Sequence, residues 1–166
     1  MTYSIEKITT LLGARRYGTK ESNIAFLLTD SRSLSFPEET LFFALRSERN
    51  DGHNYIDDLY RRGVRNFVVG TTDGISDYSD ANFLVVPSTL AALQRLAERH
   101  RDEFDIPVIG ITGSNGKTVV KEWLYQLLMP SMHVTRSPRS YNSQIGVPLS
   151  VWLLGEQSQV GVFEAG

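Results

Sequence analysis

One segment, residues 108–118, restricts the possible fold more than any other part of the sequence. It reads Val-Ile-Gly-Ile-Thr-Gly-Ser-Asn-Gly-Lys-Thr and follows a proline. The apolar start predicts a buried strand, and apolar residues then recur at helical spacing: Val119, Val120, Trp123, Leu124, Leu127 and Leu128. A strand that runs through a glycine-rich turn into a helix favours an α/β fold.

The same turn has the composition of a phosphate-binding loop. Gly113 and Gly116 let the backbone approach phosphate oxygens, and the positive end of the following helix favours an anion. Lys117 can reach the β and γ phosphates, and the Thr118 hydroxyl can ligate Mg²⁺. We therefore predict an ATP-binding loop, with Lys117 as its catalytic cation, formed by Thr112, Gly113, Ser114, Asn115, Gly116, Lys117 and Thr118.

The spacing of this loop departs from the strict P-loop pattern, because five residues rather than four separate Gly110 from Gly116. The alternative interpretation is an ordinary strand-to-helix turn with a solvent-facing lysine. The strand before the loop and the helix after it favour nucleotide binding.

Composition limits the other classes of function. The 166 residues suffice for one domain, or for a small domain and part of another. A net charge of −2 gives no reason to expect a nucleic acid or an acidic membrane as partner. The absence of Cys excludes disulfides and thiolate metal sites. No secretory signal and no bilayer-length apolar run is visible, so we expect a soluble cytoplasmic protein without membrane insertion.

Strands alternate with helices along the whole chain, which predicts two α/β units joined near Asp105-Ile106-Pro107. The first unit, residues 1–105, has predicted helices at 5–12, 55–62 and 88–103 and predicted strands at 24–29, 41–45, 66–70 and 83–87. The second unit, residues 106–166, has predicted strands at 107–111, 133–135 and 160–163 and predicted helices at 117–128 and around 147–153. Because the last strand reads as buried, we expect the natural protein to continue beyond Gly166.

Polar residues at predicted strand ends are further candidates. Glu164 follows the last strand and is placed to ligate Mg²⁺ with Thr118; the alternative is a solvated loop acid. Two loops of the first unit could hold a nucleotide sugar, with arginines on phosphate and polar side chains on the base or sugar. Spacing alone favours an ordinary turn and a solvated charged loop there. The residues concerned are Ser31, Arg32, Glu48, Arg49, Asn50 and Asp51.

Three other side chains have mainly structural interpretations. His53 has no second histidine at ligand spacing, so we expect a hydrogen-bonded loop histidine rather than a metal ligand. Trp123 and Trp152 lie on apolar helix faces and are predicted to belong to the core. The polar, basic stretch at 136–142 is a loop that could contact substrate, or ordinary surface.

Several segments together resemble the Mur ligase family. Residues 109–118, Tyr141-Asn-Ser-Gln-Ile-Gly-Val-Pro148 and Phe163-Glu-Ala-Gly166 are similar to the start of its central ATPase domain. Residues 29–32, 41–45 and 51–53 are similar to its N-terminal UDP-binding domain. The family usually has Asn where this chain has Ser140 and Ser143, and commonly Glu where it has Gln144, whereas Asn142 matches.

The resemblance implies ATP-dependent amide ligation in peptidoglycan synthesis, and with it a part in cell-wall growth, cell shape and cell division. The implied substrates are ATP, UDP-N-acetylmuramoyl-tripeptide and D-alanyl-D-alanine, joined through an acyl phosphate. By resemblance, Thr118 and Glu164 hold Mg²⁺, and the substrate-binding residues are Ser31, Arg32, residues 48–51 and Asn142. The 166 residues alone are expected to bind the UDP compound weakly and not to ligate.

Three alternatives stay open at this point. One is a Mur ligase that adds the third peptide residue, which would differ in the amine it selects. Another is a P-loop kinase or NTPase, which would not require a UDP-sugar. The third is a nucleotide-binding module without ligase activity.

Overall fold

The computed structural model describes all residues from 1 to 166, and the chain divides into two compact units, residues 1–95 and 96–166. Both units are α/β, as predicted. The division falls within the helix Thr89–Asp102, ten residues before the predicted boundary between residues 105 and 106. The functional domain boundary between residues 105 and 106 stays a prediction.

Seven strands and two complete helices lie in the first unit. The strands are β1 (Tyr3–Ser4), β2 (Arg15–Tyr17), β3 (Asn23–Ile24), β4 (Phe26–Leu28), β5 (Thr40–Phe43), β6 (Asn66–Val69) and β7 (Asn82–Val85). The helices are α1 (Ile5–Leu12) and α2 (Ile56–Arg61), and α3 (Thr89–Asp102) begins here. Short 3₁₀ helices occupy Ser31–Ser33, Pro37–Glu39, Gly52–Tyr55 and Ile75–Asp77.

Five strands form the main sheet of this unit, in the order β2-β7-β6-β5-β4. Strands β4 to β7 are parallel, and β2 adds an antiparallel edge. The loops that follow β4, β5 and β6 therefore leave the sheet at the same edge. In open α/β sheets this carboxyl edge is where ligands bind.

Aromatic side chains on three neighbouring strands form the centre of the core. Phe42, Phe67 and Phe83 occupy matching register positions on β5, β6 and β7. The rings of Phe67 and Phe83 are stacked with centroids 5.1 Å apart, and Phe42 meets Phe67 edge-on at 6.3 Å. Burial of each such side chain stabilises the fold by about 1.5–3 kcal/mol.

Helix α1 has the predicted bounds and caps. The Ser4 hydroxyl accepts a hydrogen bond from the Lys7 N–H at 3.1 Å, which satisfies one free donor of the first turn. Gly13 ends the helix with φ +60°, a left-handed conformation that glycine adopts without a steric cost. Ile5 and Ile8 are completely buried on the face that the spacing predicts.

The edges of the first unit differ from the prediction. The run at 24–29 contributes to two short strands, because Asn23–Ile24 pairs with β1 whereas Phe26–Leu28 pairs with β5 in the main sheet. Strands β1 and β2 have no predicted counterpart. Both are short edge elements, and β2 contains two arginines, so they lack the apolar pattern that identifies buried strands.

The second unit alternates strands and helices along the chain. Its elements are β8 (Val108–Ile111), α4 (Lys117–Leu128), β9 (Val134–Arg136), α5 (Gly146–Val151) and β10 (Val160–Glu164). The sheet is fully parallel with the order β8-β10-β9, so β10 lies in the middle and is buried along its whole length. The carboxyl ends of β8 and β10 are adjacent, since Glu164 pairs with Ile111.

Two burial predictions in this unit are wrong. Strand β8 was expected to be buried, but it lies at the edge of the sheet and Val108 is 38% exposed. Trp123 was expected in the core, but it is 63% exposed. Lys121 occupies the inner side of α4, which leaves Trp123 and Leu127 on the outer side. Trp152, in contrast, is buried as predicted.

None of the five helices combines the length and apolar composition that crossing a bilayer requires.

We expect Gly52→Ala to destabilise the first unit. The Gly52 N–H donates to the Leu45 carbonyl at 2.7 Å, and an added Cβ would lie 2.7 Å from the Leu45 nitrogen and 2.8 Å from the Ala44 carbonyl carbon. Such overpacking against main chain costs about 1–3 kcal/mol. Thermal unfolding measures the loss. Gly155→Ala is the control, because nothing lies within 4 Å of its added Cβ; equal melting temperatures for the two variants would contradict the expectation.

Candidate functional site

The predicted phosphate loop connects β8 to α4, and its two central glycines are required by the backbone. Gly113 has φ +138° and Gly116 has φ +78°, both in the region that residues with a Cβ rarely adopt. No heavy atom lies within 4 Å of an added Cβ at either position. The glycines therefore serve the conformation of the loop rather than close packing.

The backbone donors of this loop have no partner inside the chain. The N–H groups of residues 113–116 donate to no other main-chain group, and these residues are exposed. The first turn of α4 adds further free N–H groups and the positive end of its dipole. Free donors at a helix start form a site for an anion such as a phosphate.

Lys117 lies at this loop. Its Nζ donates a hydrogen bond to the Gly113 carbonyl at 2.6 Å, so the ammonium is held against the turn that contains the free amides. The alternative of a lysine directed away into solvent does not describe this arrangement. The loop thus has one fixed cation beside its backbone donors.

The structure brings Thr118 and Glu164 together, as the sequence predicts. The Thr118 hydroxyl donates to Glu164 Oε2 at 3.2 Å, although 46 residues separate the two in the chain. Glu164 ends the central strand β10 and is completely buried. A solvated loop acid, the alternative interpretation, would be exposed.

This pair fits a magnesium ion that is shared with phosphate. Glu164 Oε2 faces the Thr118 hydroxyl, and carboxylate and hydroxyl oxygens are the hard ligands that Mg²⁺ prefers. No group of three or more His, Cys, Asp or Glu residues in the chain could hold a metal. Magnesium at nucleotide sites typically uses one or two protein ligands, and water and phosphate oxygens supply the rest.

Sequence reasoning did not identify Lys121. Its side chain is completely buried, its Nζ lies 2.9 Å from Glu164 Oε1, and it donates a hydrogen bond to the Arg139 carbonyl. Helical spacing contained a signal, because Lys121 follows Thr118 by three residues and therefore shares its side of α4. A buried ammonium needs an anionic partner, and the sequence alone did not show which one it meets.

Asn142 lies in the same unit, beside the end of β10. Its carbonyl accepts a hydrogen bond from the Gly166 N–H at 2.8 Å. The loop that leads to Asn142 contains Arg139, which has φ +50° and is the non-glycine residue with a positive φ in this chain. The predicted substrate loop thus follows β9 and approaches the carboxyl edge where Glu164 lies.

In the first unit, the loop after β4 is organised by Asp30. Its carboxylate accepts hydrogen bonds from the Arg32 N–H at 3.0 Å and from Arg32 Nη2 at 2.7 Å. The Arg32 side chain is 88% exposed, so its guanidinium is accessible. Hydrogen bonds from Arg32 hold the pKa of Asp30 below its usual value. Ser31 is half-buried in the same turn.

The loop after β5 is organised by Asp51 and His53. Asp51 Oδ1 accepts a bond from the His53 N–H at 3.0 Å and lies 2.6 Å from His53 Nδ1. Because the Gly70 N–H donates to His53 Nε2 at 3.0 Å, Nδ1 carries the proton. His53 is therefore a hydrogen-bonded loop histidine, as predicted. Burial raises the pKa of Asp51, but the hydrogen bonds from His53 outweigh it and the pKa is lowered.

The remaining predicted residues of this loop surround the same turn. Glu48 and Arg49 are exposed, and Asn50 Oδ1 accepts a hydrogen bond from the Tyr55 hydroxyl at 3.0 Å. Asp51 also forms an ion pair with Arg46 at 2.9 Å. The turn is thus ordered by its own side chains while two charged side chains face solvent.

A cavity lies at the carboxyl edge of β5 and β6, next to this turn. The turn contributes Arg46 and His53, and the loop after β6, residues 71–77, forms the opposite side. The residues of that second loop are not among the candidates predicted from the sequence. Its position after the next parallel strand was the available signal, because loops after neighbouring parallel strands meet at one edge.

Comparison with known proteins agrees with this architecture. Residues 111–166 match the Mur ligase middle domain. The chain is 34% identical to the UDP-N-acetylmuramoyl-tripeptide–D-alanyl-D-alanine ligase of Bacillus subtilis over 138 residues, which cover 83% of this chain and 30% of that protein. It is 32% identical over 168 residues to the protein of the same name from Haemophilus influenzae, covering 98% and 35%.

Solved structures give the same result for the fold. The crystal structure of MurF from Acinetobacter baumannii matches with a TM-score of 0.91 and 27% identity, covering 100% of this chain and 36% of that one. MurF ligase from Thermotoga maritima, solved in complex with ADP, matches with a TM-score of 0.70 and 29% identity, covering 93% and 32%. The chain therefore spans about a third of the length of these relatives. On these similarities, the chain belongs to the Mur ligase family.

Proposed function

We propose that this chain supplies the UDP-sugar-binding and phosphate-binding parts of an ATP-dependent amide ligase of peptidoglycan synthesis. The ligase would add D-alanyl-D-alanine to UDP-N-acetylmuramoyl-tripeptide, the reaction in the names of its relatives. The observation that carries the proposal is the loop at residues 113–116, whose free N–H groups lie beside Lys117 and beside the Thr118–Glu164 pair.

The proposed chemistry has two steps. The terminal carboxylate of the peptide attacks the γ phosphorus of ATP, which forms an acyl phosphate and releases ADP. The amine of D-alanyl-D-alanine then attacks the acyl carbon, and inorganic phosphate leaves. The first step brings a carboxylate against a triphosphate, so negative charge must be neutralised.

Residues of the second unit are suited to that task. The loop N–H groups and the Lys117 ammonium would bind the β and γ phosphates and withdraw charge from them as ADP leaves. Thr118 and Glu164 would hold Mg²⁺, which supplies additional positive charge to the phosphate oxygens when bound. Asn142, after β9, would contact the peptide end of the substrate.

Residues of the first unit would hold the UDP end. Arg32 presents an exposed guanidinium for the diphosphate, and Ser31 offers a hydroxyl in the same turn. The turn at residues 48–51 and the adjoining cavity would receive the base or sugar, as ligands do at the carboxyl edge of parallel strands. We also propose a cytoplasmic location, because ATP and UDP-sugars are the substrates.

The reaction can be tested with the longer protein that contains this chain. With ATP, Mg²⁺, UDP-N-acetylmuramoyl-tripeptide and D-alanyl-D-alanine, we expect UDP-N-acetylmuramoyl-pentapeptide, ADP and phosphate in equal amounts by mass spectrometry and phosphate assay. Omitting the UDP compound should stop ADP formation. ADP formation that is independent of it would indicate an NTPase, and amide formation with a single amino acid would indicate the ligase for the third residue.

Nucleotide binding can be tested on the 166-residue chain itself by calorimetric titration with Mg·ATP. Loss of charge-assisted hydrogen bonds from Lys117 is worth about 1.5–3 kcal/mol, so Lys117→Ala should weaken ATP binding about 10- to 100-fold. Lys20→Ala, at an exposed lysine of the first unit, is the matched control and should bind as the unchanged chain does. Equal affinity of Lys117→Ala and the control would refute the role of Lys117.

A further inference from the structure

We propose that Lys121 is a positioning residue of the nucleotide site, and that its buried ammonium orients the Glu164 carboxylate for Mg²⁺ and ties it to the loop at residues 137–142. This inference rests on the proposed function, since it concerns the same phosphate and magnesium site. It adds a residue that does not itself touch the phosphate loop.

Burying the Lys121 ammonium costs free energy, because the charge loses its contacts with water. The side chains of Lys121 and Glu164 are both 0% exposed, and the Lys121 Nζ to Glu164 Oε1 distance is 2.9 Å. A buried ion pair contributes little net stability, and apolar residues of similar size often serve a core equally well or better. A lysine at this position therefore indicates that the charge has a task other than packing.

The two oxygens of the Glu164 carboxylate have different partners. Thr118 donates to Oε2, while Lys121 approaches Oε1 as an ion pair without hydrogen-bonding alignment. The Glu164 N–H donates to the buried Ser137 hydroxyl at 3.0 Å, so its main chain is fixed as well. With backbone and Oε1 both held, Oε2 is kept facing Thr118.

Lys121 also contacts the loop that follows β9. Lys121 Nζ also donates a hydrogen bond to the Arg139 carbonyl. Arg139 has φ +50°, a backbone conformation that costs free energy and needs support from its surroundings. One ammonium therefore supports both the carboxylate and the turn that leads to Asn142.

Glu122 is the other carboxylate near Lys121, but it is a weaker partner. Its Oε1 lies 3.4 Å from Lys121 Nζ, and its side chain is 38% exposed. Glu122 Oε2 is also engaged by Arg136. The dominant anionic partner of Lys121 is thus Glu164, which is completely buried.

These contacts predict a specific defect. Without the ammonium, the Glu164 carboxylate loses the contact that holds Oε1, and Mg²⁺ should bind less well to the nucleotide complex. Removing a residue that orients a metal ligand typically lowers metal affinity about 10- to 100-fold. The phosphate contacts of the loop N–H groups and Lys117 do not involve Lys121, so ATP binding without Mg²⁺ should be unchanged.

The experiment is a set of ATP titrations of the 166-residue chain, with Mg²⁺ and with EDTA, by calorimetry. The variants are Lys121→Met, which keeps the length without the charge, and Lys20→Met as the matched surface control. The gain in ATP affinity on adding Mg²⁺ should fall about 10- to 100-fold in Lys121→Met and stay unchanged in Lys20→Met. Amide hydrogen exchange should accelerate at residues 138–142 in Lys121→Met.

A second variant addresses the stability of the fold. Lys121→Gln keeps a hydrogen-bond donor near the Arg139 carbonyl but has no charge, and it replaces Lys121→Met if that variant unfolds. Lys121→Gln should also lose the gain in ATP affinity that Mg²⁺ gives. Thermal unfolding of the variant in the same buffers shows whether the protein is still folded, and so separates this loss from a general loss of structure. An equal loss of affinity with Mg²⁺ and with EDTA would mean a purely structural role and would overturn the inference.

The outcomes distinguish this inference from the proposed function. If the unchanged chain binds ATP with a Mg²⁺-dependent gain and the Lys121 variants keep that gain, the inference is wrong and the proposed function stands. If the unchanged chain binds no ATP in either buffer, the proposed function fails for this chain, and the inference fails with it.

Discussion

Backbone donors without a partner are the constraint on which this site depends. In the turn between β8 and α4, the N–H groups of residues 113–116 make no hydrogen bond within the chain, and Gly113 and Gly116 have positive φ angles. Such donors must be satisfied by water or by an anion. A neighbouring ammonium and the start of a helix make a phosphate the suitable anion.

The parallel sheet determines what else meets that anion. Since β10 pairs with β8 in register, the end of β10 places Glu164 beside the start of the glycine turn that follows β8. The buried carboxylate then needs fixed partners, which Thr118 and Lys121 supply from α4. The first unit has its own parallel sheet, and the loops after β4, β5 and β6 likewise leave that sheet at one edge.

Local patterns made much of this predictable. The strand, glycine turn, lysine and helix are contiguous in sequence, so the turn and its flanking elements were located within a few residues. The Ser4 cap and the Gly13 stop similarly determined α1. The Thr118–Glu164 contact was predictable because strand ends of a parallel sheet meet at one edge.

Features that depend on distant contacts were not predictable. Lys121 is an ordinary helix lysine in sequence, and only the tertiary structure shows that Glu164 and the Arg139 carbonyl surround it. Because Lys121 is buried on the inner side of α4, Trp123 lies on the outer side, although the apolar pattern of the helix predicted Trp123 in the core. Strands β1 and β2 are too short and polar to be recognised without their pairing partners.

The most direct test of the central claim is an NMR titration of the ¹⁵N-labelled chain with Mg·ATP, following every backbone amide. If the loop binds the triphosphate through its N–H groups, the largest chemical-shift changes will occur at residues 113–118, with a smaller change at Glu164. Saturable changes confined to other parts of the chain, or no changes at millimolar ATP, would contradict the account.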